Sequence, residues 1–335
     1  MAISVIMTVF NGQQWLEEAI QSVLDQTFSE FEFIIVDDGS TDGTPEILKR
    51  AAARDGRVRV ISQENMGVSR SVNRVLLEAR YGWIARMDAD DVMAPDRLER
   101  QLAFVADNPD VSVVSCFADY IDEGGKTIGE CHNPLTSRSV VRNWIDSGKV
   151  IHMIQSGAMF RRDVVLSVGG YRPEFNVTED TDLWNRVAEA GHTVIVQPEV
   201  LMQVRVHSRS LTRSSLWLQA RQFRWLEDGA RRRRASQPEI SFDEFMNQDR
   251  HRPILSLLNI ARRDLGQLLY KRAAISRTAG STSAMLTFFT ASMLVYPSHA
   301  IDNVWRKRLR TMVLERFGRD DRPAVSHRIA GPANR

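Results

Sequence analysis

Hydrophobic positions in the first third of the chain alternate between two arrangements. Ile3 to Val9 is a short apolar run of strand length, and Phe31 to Val36, Val58 to Ile61, Trp83 to Met87 and Val111 to Cys116 repeat it. Between these runs apolar residues recur at helical spacing: Trp15, Leu16, Ala19, Ile20, Val23 and Leu24, then Ile47, Leu48, Ala51 and Ala52, then Val68, Val72, Val75, Leu76 and Ala79. Thr44-Pro45 predicts an N-cap followed by proline at the first helical position, and Pro95 opens a further helix toward Asn108. Strands alternating with helices of this length predict an α/β fold, a mostly parallel sheet flanked by helices. Ligands of such sheets lie beyond the carboxyl ends of the strands.

After Cys116 the pattern changes. Tyr120 to Ile128, with Gly124-Gly125 in the middle, predicts a hairpin. Ser156 to Phe160 reads as a strand, Gly169-Gly170 as a tight turn, and Asp180 to Ala190 as a helix stopped by Gly191. Two short strands follow, Thr193 to Val196 and Leu201 to Val206. Beyond Ser210 the chain reads as helical, interrupted between Arg231 and Pro238. The expected organisation is a domain over 1–210, with halves 1–116 and 117–210, then a helical region over 211–317 and a flexible tail over 318–335.

Composition narrows the class. With 43% hydrophobic and 26% charged residues over 335 positions, the chain excludes disordered, collagenous and disulfide-framework proteins. Two cysteines, Cys116 and Cys131, predict a reducing, cytoplasmic compartment and leave no cysteine-built zinc site. The N-terminus lacks a basic segment followed by an apolar core, so no signal peptide is expected. The longest apolar run, Met285 to Tyr296, falls short of the about 20 residues that a bilayer span needs. Charge is divided unevenly: residues 1–210 hold 21 basic and 31 acidic residues, a net −10, whereas 211–335 hold 23 and 11, a net +12. The two parts therefore meet different partners.

The chemistry-bearing residues cluster at the predicted strand ends. Asp88-Ala89-Asp90-Asp91 sets three carboxylates in four residues, which repel one another unless a cation neutralises them. Carboxylate oxygens suit magnesium or manganese, which bridge to phosphates. The plain alternative is a solvated turn that caps the next helix. Asp37-Asp38-Gly39-Ser40-Thr41-Asp42 is either an Asx-turn or an acceptor of hydrogen bonds from a nucleoside. Phe10-Asn11-Gly12-Gln13 contains one glycine, so neither a dinucleotide loop nor a phosphate-binding loop follows the first strand. Thr178-Glu179-Asp180 begins a helix whose apolar face carries Leu183 and Trp184. Asp180 lies along that face, as a positioned base or as a cap, while Asp182 points elsewhere. His207 is a lone histidine able to ligate a metal; His152 and His192 are weaker candidates.

These segments in this order resemble an inverting family 2 glycosyltransferase of GT-A fold over residues 1–210. The similarity lies in Ser4-Val5-Ile6-Met7-Thr8-Val9-Phe10-Asn11, Gln26-Thr27-Phe28, Ile35 to Asp42, Asn65-Met66-Gly67-Val68-Ser69, Asp88 to Asp91 followed by Pro95-Asp96-Arg97-Leu98, Gly169-Gly170-Tyr171, and Thr178 to Trp184. The resemblance implies a nucleotide-sugar donor, with uracil the implied base. It implies that Asp38 contacts the base, that Thr8, Phe10 and Asn11 line the donor pocket, and that Asp88 approaches the ribose or metal-bound water. It implies that Asp90 binds Mn2+ or Mg2+ between diphosphate oxygens, with His207 as a further metal ligand in some relatives, and that Asp180 is the catalytic base. A saccharide or lipid-linked hydroxyl acceptor and a place in surface polysaccharide synthesis are implied as well.

Two other classes share some of these features. A nucleotidyltransferase also uses paired aspartates on a doubly wound sheet, but normally with a glycine-rich basic loop after the first strand. An inactive nucleotide-sugar-binding module need not keep both Asp90 and Asp180. Nucleic acid is not an expected partner, because the acidic first part opposes an extended phosphate track. The basic clusters Arg231 to Arg234, Arg262-Arg263, Lys271-Arg272 and Arg306 to Arg310 flank the apolar run. They predict either a peripheral contact with the inner face of the membrane, or a helical cap packed on the first domain or on a second subunit.

Overall fold

The computed structural model describes residues 1–175, 177–207, 216–278 and 282–297. The tail over 318–335 and the cluster Arg306 to Arg310 lie outside the described residues. The chain separates into two compact units, Met1–Ile240 and Ser241–Arg335.

The first unit is built on one sheet. Its strands are β1 (Ile3–Val9), β2 (Phe31–Asp37), β3 (Val58–Ser62), β4 (Trp83–Asp88), β5 (Val92–Met93), β6 (Val111–Ile121), β7 (Thr127–Cys131), β8 (Met159–Arg161) and β9 (Thr193–Arg205). Their order is β3-β2-β1-β4-β8-β6-β9-β5, with β7 also paired to β6. The block β3-β2-β1-β4 is parallel, as the alternating pattern predicts, and β6 pairs with β9 in parallel. Around them β8, β7 and β5 join antiparallel. The helices are α1 (Leu16–Leu24), α2 (Thr44–Arg54), α3 (Val68–Glu78), α4 (Arg97–Asp107), α5 (Arg138–Asp146), α6 (Arg162–Ser167), α7 (Glu179–Glu189) and α8 (Leu216–Arg234).

β1 and β2 are buried on both faces and are mostly apolar, as a sheet covered on two sides requires; the buried Ser4 and Glu32 satisfy each other, Ser4 Oγ donating to Glu32 Oε1 at 2.6 Å. Ile6, Ile34, Val36 and Ile84 meet Val72, Val75 and Leu76 of α3 in one core, which continues through Phe160 and Tyr171 to Trp184 of α7. Register aligns the strand ends: Thr8 lies opposite Val36 on one side and Asp88 on the other, and Val9 lies opposite Asp37. One edge of the sheet therefore collects the polar ends of three strands.

Local details depart from the pattern reading. Thr44 does not cap α2. Gly43 holds the cap position, Asp42 Oδ1 accepts from the Thr44 N–H at 3.0 Å, and Thr44 Oγ1 accepts from the Gly12 N–H at 2.9 Å. Thr193 to Arg205 is one strand rather than two. Gln197-Pro198-Glu199 looks like a break because proline donates no ladder hydrogen bond, yet here it is a bulge: Cys116 pairs with Gln197 and the next residue, Phe117, with Val200. The pattern reading also passed over the short helices α5 and α6, although Val140, Val141, Trp144 and Ile145 of α5 fall at helical spacing and pack on the core.

Arg97 joins the parallel block to the rest of the sheet. Its side chain is fully buried, and among the described residues no carboxylate is bonded to it. Nη1 donates to the carbonyls of Arg86 (3.1 Å) and Ser156 (2.7 Å), Nη2 to that of Ala158 (3.1 Å), and Nε to Gln101 Oε1 (3.0 Å). Burial pulls its pKa down to about 10, so it remains a cation at neutral pH, with Asp88 and Asp91 favouring the charge. Arg97→Met is expected to lower unfolding free energy by at least about 3 kcal/mol, since each buried carbonyl left unpaired costs about 1–3 kcal/mol. Arg97→Lys should recover little, because an ammonium cannot reproduce the fork. Urea unfolding followed by tryptophan fluorescence measures both variants.

Candidate active site

The segments after β1, β2 and β4 form the floor of the site. Asn11 adopts a left-handed conformation (φ 51°), a strain that asparagine tolerates through local hydrogen bonding. Its N–H donates to Ser40 Oγ at 2.9 Å, and its Oδ1 accepts from the Thr41 N–H at 2.8 Å, stitching the first loop to the second. Phe10 is 52% exposed beside this stitch, a large apolar ring held open to solvent. Thr8 Oγ1 accepts from Arg86 Nη2 at 3.1 Å.

Asp37 and Asp38 divide the two readings of their cluster. Asp37 Oδ1 accepts from the Ser40 N–H at 3.0 Å, which is the Asx-turn. Asp38 is buried and reaches across to the next loop. Oδ1 accepts from the Met66 N–H (2.9 Å) and from Gln63 Nε2 (2.7 Å), and Oδ2 from the Gly67 N–H (2.9 Å). Burial pushes its pKa up, but these donors outweigh burial and hold it below the usual carboxylate range. Its first task is therefore to fix the Asn65-Met66-Gly67 segment, where Gly67 has φ 83°.

At the end of β4 the three aspartates face different partners. Asp88, half-buried, pairs with Arg86 Nη2 at 3.0 Å. Burial raises its pKa, Arg86 opposes the shift, and the charges of Asp90 and Asp180 reinforce it. Asp91 is buried and accepts from the Arg205 N–H at 2.9 Å; burial and then Asp90 and Asp88 lift it well above the ordinary range. Asp90 Oδ2 lies 2.7 Å from His207 Nε2. His207 is 4% exposed, its ring rests on Trp15 with centroids 4.3 Å apart, and its Nδ1 meets no hydrogen-bond partner among the described residues. Arg205, two residues before it, ties the corner together, with Nε to the Asp90 carbonyl (2.9 Å) and Nη2 to Glu18 Oε2 (2.6 Å).

Among the described residues no three His, Cys, Asp or Glu side chains converge as a metal cage. One carboxylate and one imidazole do meet, at Asp90 and His207. That set fits a magnesium- or manganese-type ion, which takes one or two protein ligands and fills its other positions with phosphate oxygens and water.

Helix α7 supplies the opposite wall. Thr178 holds its N-cap position without a side-chain hydrogen bond, and Glu179 and Asp180 form the first turn. Asp180 Oδ1 accepts from the Thr181 N–H at 2.6 Å. Burial raises the pKa of Asp180, with His152 and the Thr181 hydrogen bonds opposing, and its charge and that of Asp88 are close enough to perturb one another. Burial and then Asp180 push Glu179 up to about 8. Asp182 does not point away from the core as the pattern suggests. It is 0% exposed and holds Arg172 (Nε to Oδ2, 2.9 Å; Nη2 to Oδ1) and Arg186 (Nε to Oδ2, 2.8 Å). Arg186 then donates to the carbonyls of Val168 and Gly170, locking the Gly169-Gly170 turn to α7.

Helix α8 braces this wall. Gln222 bonds the Val177 N–H (3.3 Å) and the Glu174 carbonyl (3.0 Å), and Trp225 stacks on Phe175 with centroids 4.3 Å apart. Arg233 and Arg234 both pair with Glu189 of α7, and Arg231 and Arg232 with Asp228. Arg233 and Arg234 are thus engaged in packing against α7, whereas Arg231 and Arg232 pair within their own helix. Sequence reading missed Arg86, Arg172, Arg186 and Arg205 as parts of the site's support, because the signal of a buried arginine is its partners, which are distant in sequence.

Residues 4–169 match the model of a family described as "Glycosyl transferase family 2". The O-antigen biosynthesis glycosyltransferase WbnJ of Escherichia coli is 33% identical over 221 residues, spanning 64% of this chain and 83% of its own. The amylovoran biosynthesis glycosyltransferase AmsE of Erwinia amylovora is 30% identical over 220 residues, spanning 64% of this chain and 80% of its own. The fold is similar to that of the mannosyltransferase PcManGT from Pyrobaculum calidifontis, solved with GDP-Man and Mn2+ (TM-score 0.57, 20% identity, 95% of this chain and 88% of that one). It is also similar to S. aureus TarS 1-349 with UDP-GlcNAc (TM-score 0.57, 15% identity, 89% and 92%).

Proposed function

The chain belongs to glycosyl transferase family 2 and is a glycosyltransferase, and from that premise we propose that it transfers a sugar, with inversion, from a UDP-sugar to a hydroxyl of a saccharide or lipid-linked acceptor. The observation that carries this reading is the opposition of two acidic groups. Asp88 and Asp90 stand at the end of β4 beside His207, and Asp180 stands at the start of α7 within electrostatic reach of Asp88. Membership of this family sets aside the nucleotidyltransferase and inactive-module readings.

In this proposal the base lies over the loops after β1 and β2, lined by Thr8, Phe10, Asn11 and Asp38. Asp88 meets the ribose or metal-bound water. Asp90, with His207, would hold Mn2+ or Mg2+, which when bound supplies charge neutralisation to the departing diphosphate. Asp180 takes the proton of the acceptor hydroxyl as that oxygen attacks the anomeric carbon. Attack from the face opposite the diphosphate inverts the centre, and no protein nucleophile is needed. The named roles of WbnJ and AmsE support placing the product in a surface polysaccharide. TarS bound to UDP-GlcNAc supports the uridine donor, although PcManGT holds GDP-Man.

The second unit bears on the acceptor. It contains α9 (Phe242–Arg250), α10 (Ile254–Thr278) and α11 (Thr282–Val295). Helices α10 and α11 pair through Ser292 Oγ, which donates to the Gly266 carbonyl at 2.8 Å. Ile254, Leu255, Leu258, Leu286 and Leu294 are exposed, and α11 has no charged residue. No described helix is long and apolar enough to cross a membrane. We assign to this unit a peripheral contact with an anionic lipid surface that carries the acceptor.

Four outcomes test the reading. UDP should bind more tightly with Mn2+ than without, and Asp90→Asn should erase the difference; isothermal calorimetry giving equal affinities for the native protein removes the metal role. Asp180→Asn should lower turnover by about 10²–10⁴-fold with UDP affinity little changed, the size typical of a lost general base. Because burial raises the Asp180 pKa and the base must be ionised, kcat/KM should fall with decreasing pH at a value above the ordinary carboxylate range. In flotation, the full chain should rise with anionic phosphatidylglycerol vesicles in a salt-sensitive way and not with neutral phosphatidylcholine; sedimentation with neither assigns the exposed leucines to self-association or packing.

A further inference from the structure

The segment between α5 and β8 brings an unassigned histidine to the proposed base. Its backbone is clamped on both sides of His152. The Ile151 N–H and carbonyl bond the Asn185 side chain of α7, each at 2.9 Å, and the His152 carbonyl accepts from Asn133 Nδ2 at 2.6 Å. The imidazole stands exposed over the first turn of α7, its ring edge toward Phe223 of α8 with centroids 6.3 Å apart. Nδ1 lies 3.0 Å from Thr181 Oγ1, and Thr181 Oγ1 lies 3.3 Å from Asp180 Oδ1.

Donor counting fixes the direction of this chain. An ionised carboxylate only accepts, so the single hydroxyl proton of Thr181 goes to Asp180. Thr181 Oγ1 must then accept, and the proton between it and His152 belongs to Nδ1. Oδ1 of Asp180 is thereby engaged twice, by the Thr181 N–H and by the Thr181 hydroxyl. Among the described residues no other residue donates to Oδ2.

We propose that His152 is a positioning residue for glycosyl transfer: acting through Thr181, it holds Asp180 by Oδ1 so that Oδ2 is presented to the acceptor hydroxyl. The inference rests on Asp180 being the base. A hydrogen bond that orients a charged group acts in the transition state and leaves donor binding alone.

The test reads nucleotide release from whichever member of a panel of UDP- and GDP-sugars turns over fastest with Mn2+. His152→Ala should lower kcat about 10–100-fold, the equivalent of one lost hydrogen bond in a charged network, with donor KM unchanged. His152→Asn sets an amide N–H where Nδ1 was and should restore most of the rate, whereas His152→Gln, one methylene longer, should not. Thr181→Val should cost about as much as His152→Ala, and the double variant no more than either, since both break one chain. In the native protein, 15N NMR should find Nδ1 of His152 protonated. A full-rate His152→Ala, losses that multiply in the double variant, equal rates for Asn and Gln, or a ring without a proton on Nδ1 each overturns the proposal. If Thr181→Val fails to fold, the Asn and Gln pair still decides. Asp180→Asn separates the two levels: an inactive Asp180→Asn with a full-rate His152→Ala overturns the positioning role alone, and an active Asp180→Asn overturns the base reading itself.

Discussion

Crowded negative charge at one sheet edge is the constraint that the first unit is organised around. Asp88, Asp90, Asp91, Glu179 and Asp180 gather where β4 ends and α7 begins, and burial pushes most of them toward the neutral form. Three buried arginines offset this. Arg86 pairs with Asp88 from within β4, Arg97 carries its charge beneath the turn on neutral acceptors, and Arg205 holds Asp91 by its N–H and Asp90 by its carbonyl. A cation bonded to carbonyls, an amide and the Met202 thioether keeps its field available to every carboxylate nearby. The same arginines are also the mechanical joints between the parallel block, the 156–158 segment and β9, so charge compensation and sheet assembly are one feature.

A second ionic system holds the opposite wall. Asp182, fully buried, joins Arg172 and Arg186; Arg172 continues to Glu239, Glu239 to Arg233, and Arg233 with Arg234 to Glu189. Removing one member of such a buried set leaves an uncompensated charge, which costs about 3–5 kcal/mol. The network grips α7 at Asp182, Arg186 and Glu189, while Asp180 in its first turn lies within electrostatic reach of Asp88. It gives Arg233 and Arg234 at the end of α8 a structural use. Its members are spread over residues 172–239.

Much of the fold was legible along the chain. The first four strands and their helices declare themselves because each is buried on the side that its apolar spacing predicts, and Ile3–Val9 falls where the pattern sets it. The Asp37 turn and the Gly169-Gly170 turn follow from local chemistry alone. The pattern reading broke down where one residue serves a distant partner. Pro198 looks like a strand end because its effect is local, while the pairing with β6 that carries the strand past it is not. Asp182 looks like a solvated neighbour of Asp180 until Arg172 and Arg186 arrive to bury it.

The sequence by itself determined the α/β class, the order of the acidic clusters, and the family to which that order belongs, because those depend on spacing within a few turns or strands. Only the tertiary structure decided which acids share a space. It set Asp90 against His207, 117 residues apart in sequence, gave Asp38 the Met66–Gly67 loop to hold, and brought His152 to Thr181. The physical reason is that a carboxylate or an imidazole takes its role from the charges and donors within a few ångströms of it. Strand register and helix packing choose those neighbours from segments that the chain keeps far apart.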